Sequence, residues 1–243
     1  MERDQHEGSD MRRLALAVGA ATLLAIAAAA AGVAFFLSRS DPVELVTEAP
    51  SLPTDTAAVT PTSDLLHFVV VPEQSEASYI AREKLASLPV TSEAVGRTNA
   101  ISGDIYLTRQ GLASSPPSVL RVDLRTLRSD ETRRDNYVRN NTLQADRFPY
   151  AEFVLERVDG FPPDYREGEE VALRLSGTMT IRGTSRPMTF DARARYGGGT
   201  LTGVAHATFK LSDFGLSPPN IAGFVTVEDE MRLQIVLVAR LQG

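Results

Sequence analysis

The sequence predicts an all-β domain of antiparallel strands that follows one N-terminal transmembrane helix. Three observations lead to this prediction: an uncharged run over residues 14–37, a Pro- and Thr-rich stretch over residues 38–64, and alternation of apolar and polar residues within residues 65–243. Alternation with a period of two is typical of strands that have one buried face. We therefore divide the 243 residues into a membrane segment, a linker and a folded domain.

The uncharged run at residues 14–37 holds 24 residues, and Thr22 is its one polar side chain. At about 1.5 Å per residue, a helix of this length reaches about 36 Å, enough to cross a hydrocarbon core of about 30 Å. Arg12 and Arg13 precede the run, and positive residues favour the cytoplasmic side of a membrane. We predict a single-pass protein of the cell membrane, with residues 1–13 in the cytoplasm and the folded domain on the extracytoplasmic side.

A cleaved signal peptide is the main alternative for the uncharged run. The two arginines would form its charged region, residues 14–26 its apolar region, and the alanines near Ala29 and Ala31 its cleavage site. Apolar character continues to Leu37 without a polar stretch, which favours an uncleaved signal anchor. A buried helix of a soluble protein would normally show a polar face, and this run has none.

The stretch after the run differs from the rest of the chain in composition and charge. Residues 38–64 contain too few large apolar residues to form a core, so we predict a disordered linker. Residues 1–64 carry 4 Lys/Arg and 9 Asp/Glu, whereas residues 65–243 carry 21 and 22. The folded domain is therefore nearly neutral, and no basic block indicates a nucleic-acid interface. The sequence carries no indication of the oligomeric state.

The clearest strands are in the second half of the domain. Residues 171–182 alternate over twelve positions, with apolar side chains on one face and mostly Arg, Ser and Thr on the other. Turns at residues 183–187 and at Gly197-Gly198-Gly199 bound the next strand, and residues 201–211 follow. The last strand covers about residues 227–241.

The first half of the domain shows the same alternation more weakly. It is found around residues 66–70, 101–107, 120–124 and 153–155. Seven or eight strands joined by short turns indicate an antiparallel sheet that either closes into a barrel or folds into a sandwich.

One segment, residues 129–141, breaks the alternation and favours a short polar helix. Ser129 or Asp130 is a suitable N-cap, and Arg139 in the last turn complements the helix dipole. Two interpretations remain open for this helix: a solvated connection between two strands, or a lid at the mouth of a barrel.

Residues that carry chemistry are sparse. The chain has no Cys, and its three histidines, His6, His67 and His206, form no i, i+4 pair, so we predict neither a metal site nor a cofactor. No G-x-S-x-G nucleophile motif is present. Three acidic residues at 228–230 alternate between the faces of a strand, so they do not form a simple catalytic pair. We therefore expect that the protein is not an enzyme.

Residues 124–155 resemble the signature of the YceI-like family of polyisoprenoid- or lipid-binding-like proteins. The segment 175–187 is similar to the family's G-x-L-T-x-R-G-x-x-K/R-P turn between two strands, and residues 212–215 are similar to its element containing Asp-Phe-Gly. The order and spacing of these segments agree over nearly the whole domain. The signature positions in the first segment are Leu127, Ser129, Asp130, Arg134, Asp135, Leu143, Phe148, Pro149 and Phe153.

The resemblance implies a lipocalin-like antiparallel barrel of about eight strands with a short helix, formed by residues 65–243. It also implies an elongated apolar interior that takes a long isoprenoid or fatty-acyl chain. The alternation alone equally fits a filled core, but together with the resemblance it yields a set of candidate lining residues. These are Phe153, Leu173, Leu175, Met179, Ile181, Phe190, Ala192, Ala207, Phe209, Met231, Leu233 and Ile235.

The function expected from these features is that of a membrane-anchored extracytoplasmic protein whose partners are the membrane and a long-chain lipid or isoprenoid. Arg133 and Arg134, in the predicted helix, are the candidates for contact with an anionic head group. An interaction or scaffold barrel with a filled core is the first alternative. An exported enzyme is the second, and it is less favoured because no catalytic set of residues is evident.

Overall fold

A computed structural model describes residues 43–53, 64–85, 91–108, 110–221 and 225–242. The chain from Val43 onward forms one compact unit. The predicted cytoplasmic segment 1–13 and the predicted transmembrane helix 14–37 lie outside the described residues. Within the described ranges, no helix has both the length and the apolar character needed to cross a membrane.

The described residues are predominantly strands, as the alternation predicts. One α-helix, α1, covers Thr132–Tyr137, and short 3-10 helices occur at Pro72–Gln74, Leu124–Thr126 and Leu211–Phe214. The strands are β1 (Leu66–Val70), β2 (Glu76–Leu85), β3 (Thr91–Thr98), β4 (Ile101–Thr108), β5 (Gly111–Leu112), β6 (Ser118–Asp123), β7 (Tyr150–Asp159), β8 (Glu170–Ile181), β9 (Thr184–Gly197), β10 (Thr200–Lys210), β11 (Asn220–Ile221) and β12 (Val225–Leu241).

Eight strands close into an antiparallel barrel. The hydrogen-bonded order is β1-β4-β6-β7-β8-β9-β10-β12, and β12 pairs back with β1 through Phe68–Leu241 and Val70–Ala239. Closure removes the open edges that a sandwich would leave. The structure therefore decides between the two architectures that the alternation left open, and it confirms the all-β antiparallel barrel of eight strands with a short helix.

One end of the barrel is completed by β2, β3 and helix α1. Strand β12 is long, and while its last residues pair with β1, its earlier residues pair with β2, which in turn pairs with β3. Beyond β3 the wall continues as one isolated bridge between Arg97 and Arg128. Helix α1 follows that bridge in the chain, and its residues pack at this end of the interior. We call this end of the barrel the helix end.

The hairpin between β8 and β9 is tighter than the sequence predicts. The expected turn covers residues 183–187, but Ile181 pairs with Thr184, so the loop is Arg182-Gly183 alone. Both loop residues have positive φ, 49° and 77°, as a type I′ turn requires, and glycine adopts this conformation without steric cost. Pro187 is consequently part of β9, at a position where β8 is the paired neighbour and β10 is not.

The predicted helix is shorter than expected and has a different cap. Its α-helical part is followed by a π-helical turn over Val138–Thr142. Glu131 is the N-cap, because its carboxylate accepts a hydrogen bond from the backbone N–H of Arg133. Ser129, expected as a cap, donates its hydroxyl to Asp135 Oδ1 at 2.6 Å. The polar composition of the segment thus serves a local hydrogen-bond network.

The predicted linker, residues 38–64, is described by the structure over residues 43–53. This part contacts the outer wall of the barrel, where Val43, Val46 and Ala49 donate their backbone N–H groups to side chains of Glu93, Gln234 and Glu170 at 2.6, 2.7 and 2.9 Å. Donors at every third residue match the three residues per turn of polyproline II. We call residues 43–53 the strap.

The strap explains an unexpected burial pattern in β10. Alternation places Thr200, Thr202 and Val204 on the outer face, where we expect exposure, yet they are 0–2% exposed. The hydroxyl of Thr202 donates to the carbonyl of Pro50 at 2.7 Å. The first part of the outer face of β10 is therefore buried, whereas Thr208 and Lys210 farther along the same face are exposed.

Candidate functional site

The interior of the barrel holds two cavities, of about 430 Å³ and about 150 Å³. The larger volume is within the range of about 300–1,000 Å³ that is usual for small-molecule sites. Both cavities are lined by Val122, Ala151, Met179 and Ile235, so these four residues form the boundary between them, which we call the constriction. The two cavities follow one another along the barrel, a wide one and, at the helix end, a narrow one.

Strand β8 gives the length of this interior. Its inward side chains line the wide cavity from Val171, and they line the narrow cavity as far as Ile181. Ten residues of an antiparallel strand cover about 34 Å along the strand, and less along the barrel axis because barrel strands are tilted by about 35–45°. The lining is therefore long enough for an extended hydrocarbon chain rather than for a compact metabolite.

A glycine shapes the constriction. Gly177 lies on the inner face of β8, between Leu175 and Met179. A Cβ at this position would fall 2.1 Å from the carbonyl oxygen of Val154 and 2.9 Å from the ring of Phe153. Because glycine leaves this space open, β7 approaches β8 closely and the Phe153 ring lies beside the constriction.

The structure places most of the predicted lining residues on one of the two cavities. Phe153, Leu173, Leu175, Phe190 and Ala192 line the wide cavity. Met179 and Ile235 line both cavities, and the narrow cavity is additionally lined by Ile181, Phe209, Met231 and Leu233.

Ala207 differs from the other candidates. It is 8% exposed and belongs to the buried hydrophobic core, but neither cavity touches it. Alternation places Ala192 and Ala207 on the same inner surface, yet spare volume lies next to Ala192 alone.

The residues predicted to line the interior include none from β1, β4 or β6, although these strands form part of the wall of the wide cavity. Leu66 and Phe68 of β1, Ile105 of β4 and Leu120 of β6 all line the wide cavity. These strands show the same alternation more weakly, so a signal for this wall is present in the sequence. Phe161 lines the same cavity from the connection between β7 and β8, and no periodicity marks it.

The two arginines expected near a head group have different environments. Arg133 is exposed. Arg134 lines the narrow cavity and forms ion pairs with Glu83, Nε to Oε1 at 3.1 Å, and with Asp130, Nη1 to Oδ1 at 2.6 Å. Burial lowers the pKa of the Arg134 guanidinium, but the two carboxylates outweigh burial and raise it. Arg134 is therefore a fixed, internally neutralised cation.

His67 of β1 has an acidic and an aromatic partner on β4. His67 Nε2 lies 2.7 Å from Asp104 Oδ1, and the His67 ring stacks on Tyr106. Across the part of the chain that the structure describes, no group of three acidic or histidine side chains could hold a metal ion. Both cavities are lined mainly by apolar side chains.

Comparison with known proteins agrees with this geometry. Curated relatives include UPF0312 proteins of Vibrio parahaemolyticus and Vibrio campbellii, which are 27% and 26% identical over 140 residues, 55% of this chain and 70% of each relative. The fold is shared with a polyisoprenoid-binding domain from Saccharophagus degradans, at a TM-score of 0.58 and 15% identity, covering 73% of this chain and 99% of that one.

A second solved structure, BcnA of Burkholderia cenocepacia, has a TM-score of 0.53 at 19% identity and covers 70% of this chain and 98% of its own. The family model of the YceI-like domain matches residues 68–239, which include all eight barrel strands in whole or in large part. The resemblance noted in the sequence is thus confirmed, and the chain belongs to the family of YceI-like domains.

Proposed function

We propose that the barrel binds one long apolar lipid, of the polyisoprenoid or fatty-acyl type, along its interior and makes or breaks no bond in it. The observation that carries this proposal is the pair of adjacent apolar cavities, whose lining extends along β8 from Val171 to Ile181. The solved domain from Saccharophagus degradans is described as polyisoprenoid binding, which supports the same class of ligand here.

Burial of apolar surface supplies the affinity. Each Å² of hydrocarbon removed from water contributes about 25 cal/mol, before the cost of ordering the chain is subtracted. The constriction at Met179 and Ile235 lies beside the Phe153 ring. A ligand that occupies both cavities has to pass this ring, so a slender chain fits there, whereas a wide group would collide with the ring. A linear lipid fits such an interior better than a fused-ring ligand.

The test is lipid extraction and mass spectrometry on the full chain, purified in parallel with two variants. Ala192→Phe fills the wide cavity, and Thr189→Val changes the exposed neighbouring face of β9. A lipid held inside should be present in the parent and in Thr189→Val but strongly reduced in Ala192→Phe. Equal lipid in all three would assign it to the membrane segment or detergent and would favour a scaffold barrel.

We also propose that residues 14–37 anchor the domain to the cell membrane on its extracytoplasmic side. The uncharged run and the preceding arginines support this topology. Protease added to intact cells should then remove the domain while leaving a membrane-bound N-terminal fragment. A freely soluble mature protein beginning near Ala31 would instead show that the segment is a cleaved signal peptide.

A further inference from the structure

One segment of the wide cavity's lining is not part of a strand. Phe161, Pro163 and Tyr165 line the cavity from the connection between β7 and β8, residues 160–169, which we call the cavity loop. All other described residues that line this cavity belong to strands. Opening the wall between two strands breaks a ladder of hydrogen bonds, whereas a loop moves at a lower cost. The cavity loop is therefore the part of the lining that opens most easily.

Hydrogen bonds to the end of β9 hold the cavity loop in place. The hydroxyl of Tyr165 accepts a hydrogen bond from the backbone N–H of Tyr196 at 2.7 Å. The same hydroxyl lies within donating distance of the carbonyl oxygens of Tyr196 and Glu169, at 2.8 and 2.9 Å. The backbone N–H of Gly168 donates to the carbonyl of Tyr196 at 2.8 Å. The loop is thus bonded to the wall mainly at one residue of β9.

The strap meets the cavity loop next to that residue, at Gly197. A Cβ on Gly197 would fall 2.8 Å from Cδ1 of Leu52, which belongs to the strap. It would also fall 3.4 Å from the backbone N of Gly168 and 3.7 Å from Cβ of Glu167, both in the cavity loop. The Leu52 side chain and the end of the loop therefore converge where the loop is bonded to β9.

The strap is itself fixed to the wall just before Leu52. The backbone N–H of Ala49 donates to the carboxylate of Glu170 at 2.9 Å, and Glu170 is the first residue of β8, directly after the cavity loop. The hydroxyl of Thr202 donates to the carbonyl of Pro50 at 2.7 Å. These two contacts hold Leu52 against the end of the loop.

We propose that the cavity loop is the passage by which the lipid enters and leaves the wide cavity, and that the strap, through Leu52, holds this loop closed. The inference rests on the proposed lipid binding. The strap contacts the closed loop from the outer wall, with or without lipid inside, so it sets the rates of entry and exit and changes the equilibrium affinity little. The family match begins at residue 68, so this control comes from a segment that precedes the matched domain.

The experiment follows a 16-carbon fluorescent fatty acid on the full chain by stopped flow. Mixing gives the association rate, an excess of unlabelled palmitate gives the dissociation rate, and detergent without protein gives the background. Leu52→Ala removes the packing at Gly197 and should raise both rates about three- to tenfold, with the dissociation constant unchanged within about twofold. Leu52→Met keeps a long apolar side chain and should retain the parent rates.

Two further variants locate the effect. Val46→Ala changes a side chain of the same strap that is 43% exposed, and both rates should stay within about twofold of the parent. Tyr165→Phe removes the hydroxyl that bonds the loop to Tyr196, so it should raise both rates while the strap is intact. Amide hydrogen exchange over residues 161–169, measured without lipid, should be faster in Leu52→Ala and Tyr165→Phe than in Val46→Ala.

The outcomes separate this inference from the proposed function. Unchanged rates in Leu52→Ala overturn the role of the strap, and unchanged rates in Tyr165→Phe overturn the loop as the passage. A weaker affinity of Leu52→Ala with an unchanged association rate also overturns the inference, because the strap would then stabilise the bound state. Absence of any protein-dependent signal in the parent overturns lipid binding itself, and this inference with it. Leu52→Val replaces Leu52→Ala if the melting temperature shows that the latter is not folded.

Discussion

The wide cavity and the helix end share strands but differ in what completes them. Strands β8 and β12 line both; alternation continues along β8, whereas the register of β12 shifts between Val227 and Met231. The wide cavity is completed by further strands, whereas the helix end is completed by α1, whose Arg134 pairs with Glu83 of β2. The comparison teaches that strand pairing continues the wall of the barrel by itself, whereas a helix at its end is held to the wall by side-chain contacts such as this ion pair.

The largest effect is expected from placing a charge in the wall of the wide cavity. Phe190 is 4% exposed, and its ring packs edge-on against the ring of Phe153 with 5.1 Å between the ring centroids. Phe190→Asp therefore loses the buried aromatic ring and places an unpaired carboxylate in the interior. We expect a loss of about 4 kcal/mol or more in the free energy of unfolding. Thr189→Asp, on the exposed face, should lose less than about 0.5 kcal/mol. Denaturant unfolding measures both, and equal losses would contradict the assigned faces of β9.

The next effect belongs to the helix end. Arg134→Ala leaves Glu83 without its partner in a mostly buried position, and we expect a cost of about 2 kcal/mol, less than for a fully buried pair because both side chains keep some exposure. The neighbouring change Arg133→Ala should fall within about 0.5 kcal/mol because Arg133 is exposed. Similar losses in the two variants would mean that the ion pair does not hold α1 to the barrel.

Two alanines test where the spare volume lies. Ala207→Phe should overpack the core and cost about 1–3 kcal/mol, because no cavity adjoins it. Ala192→Phe should cost less, since the added ring enters the wide cavity, and it should lower the bound lipid. The measurement is paired, melting temperature and lipid mass for each variant. If Ala192→Phe were the less stable of the two variants, the free volume would lie beside Ala207 rather than beside Ala192.

The smallest effect concerns the strap on the outer wall. Burial raises the pKa of Glu170, but the backbone N–H of Ala49 and the side chains of Arg193 and Arg195 outweigh it, so the pKa is lowered. A lowered pKa contributes stability at neutral pH that is lost as the pH falls through the folded-state value. Glu170→Gln should cost about 1–2 kcal/mol at pH 7.

The difference in stability between the parent and Glu170→Gln should shrink as the pH falls below the ordinary pKa of glutamate. Melting temperatures of the parent and of Glu170→Gln, measured from pH 7 downward, report this difference in stability. A difference that stays constant with pH would show that the ionised form of Glu170 does not hold the strap.

Much of the inner surface was predictable because alternation is a local property. A residue's side of a strand follows from its position alone, so Leu173, Met179 and Ile235 could be assigned to the interior before any contact was known. The turn at residues 183–187 was misplaced because Pro187 resembles a turn residue. Pro187 lies within β9 because that stretch of the strand pairs with β8 and not with β10, so the missing N–H of proline breaks no ladder there. The local sequence does not show which strands pair.

The sequence by itself determined the strand-rich domain, its inward faces and its membership of a family, since each depends on residue order along the chain. The tertiary structure decided which inward residues border free volume, because that depends on the side chains opposite: Ala192 adjoins a cavity and Ala207 does not. It also decided that Arg134 pairs with Glu83, 51 residues away, and that residues 43–53 contact the first part of the outer face of β10 through Thr202. Such contacts join distant parts of the chain, and no periodicity records them.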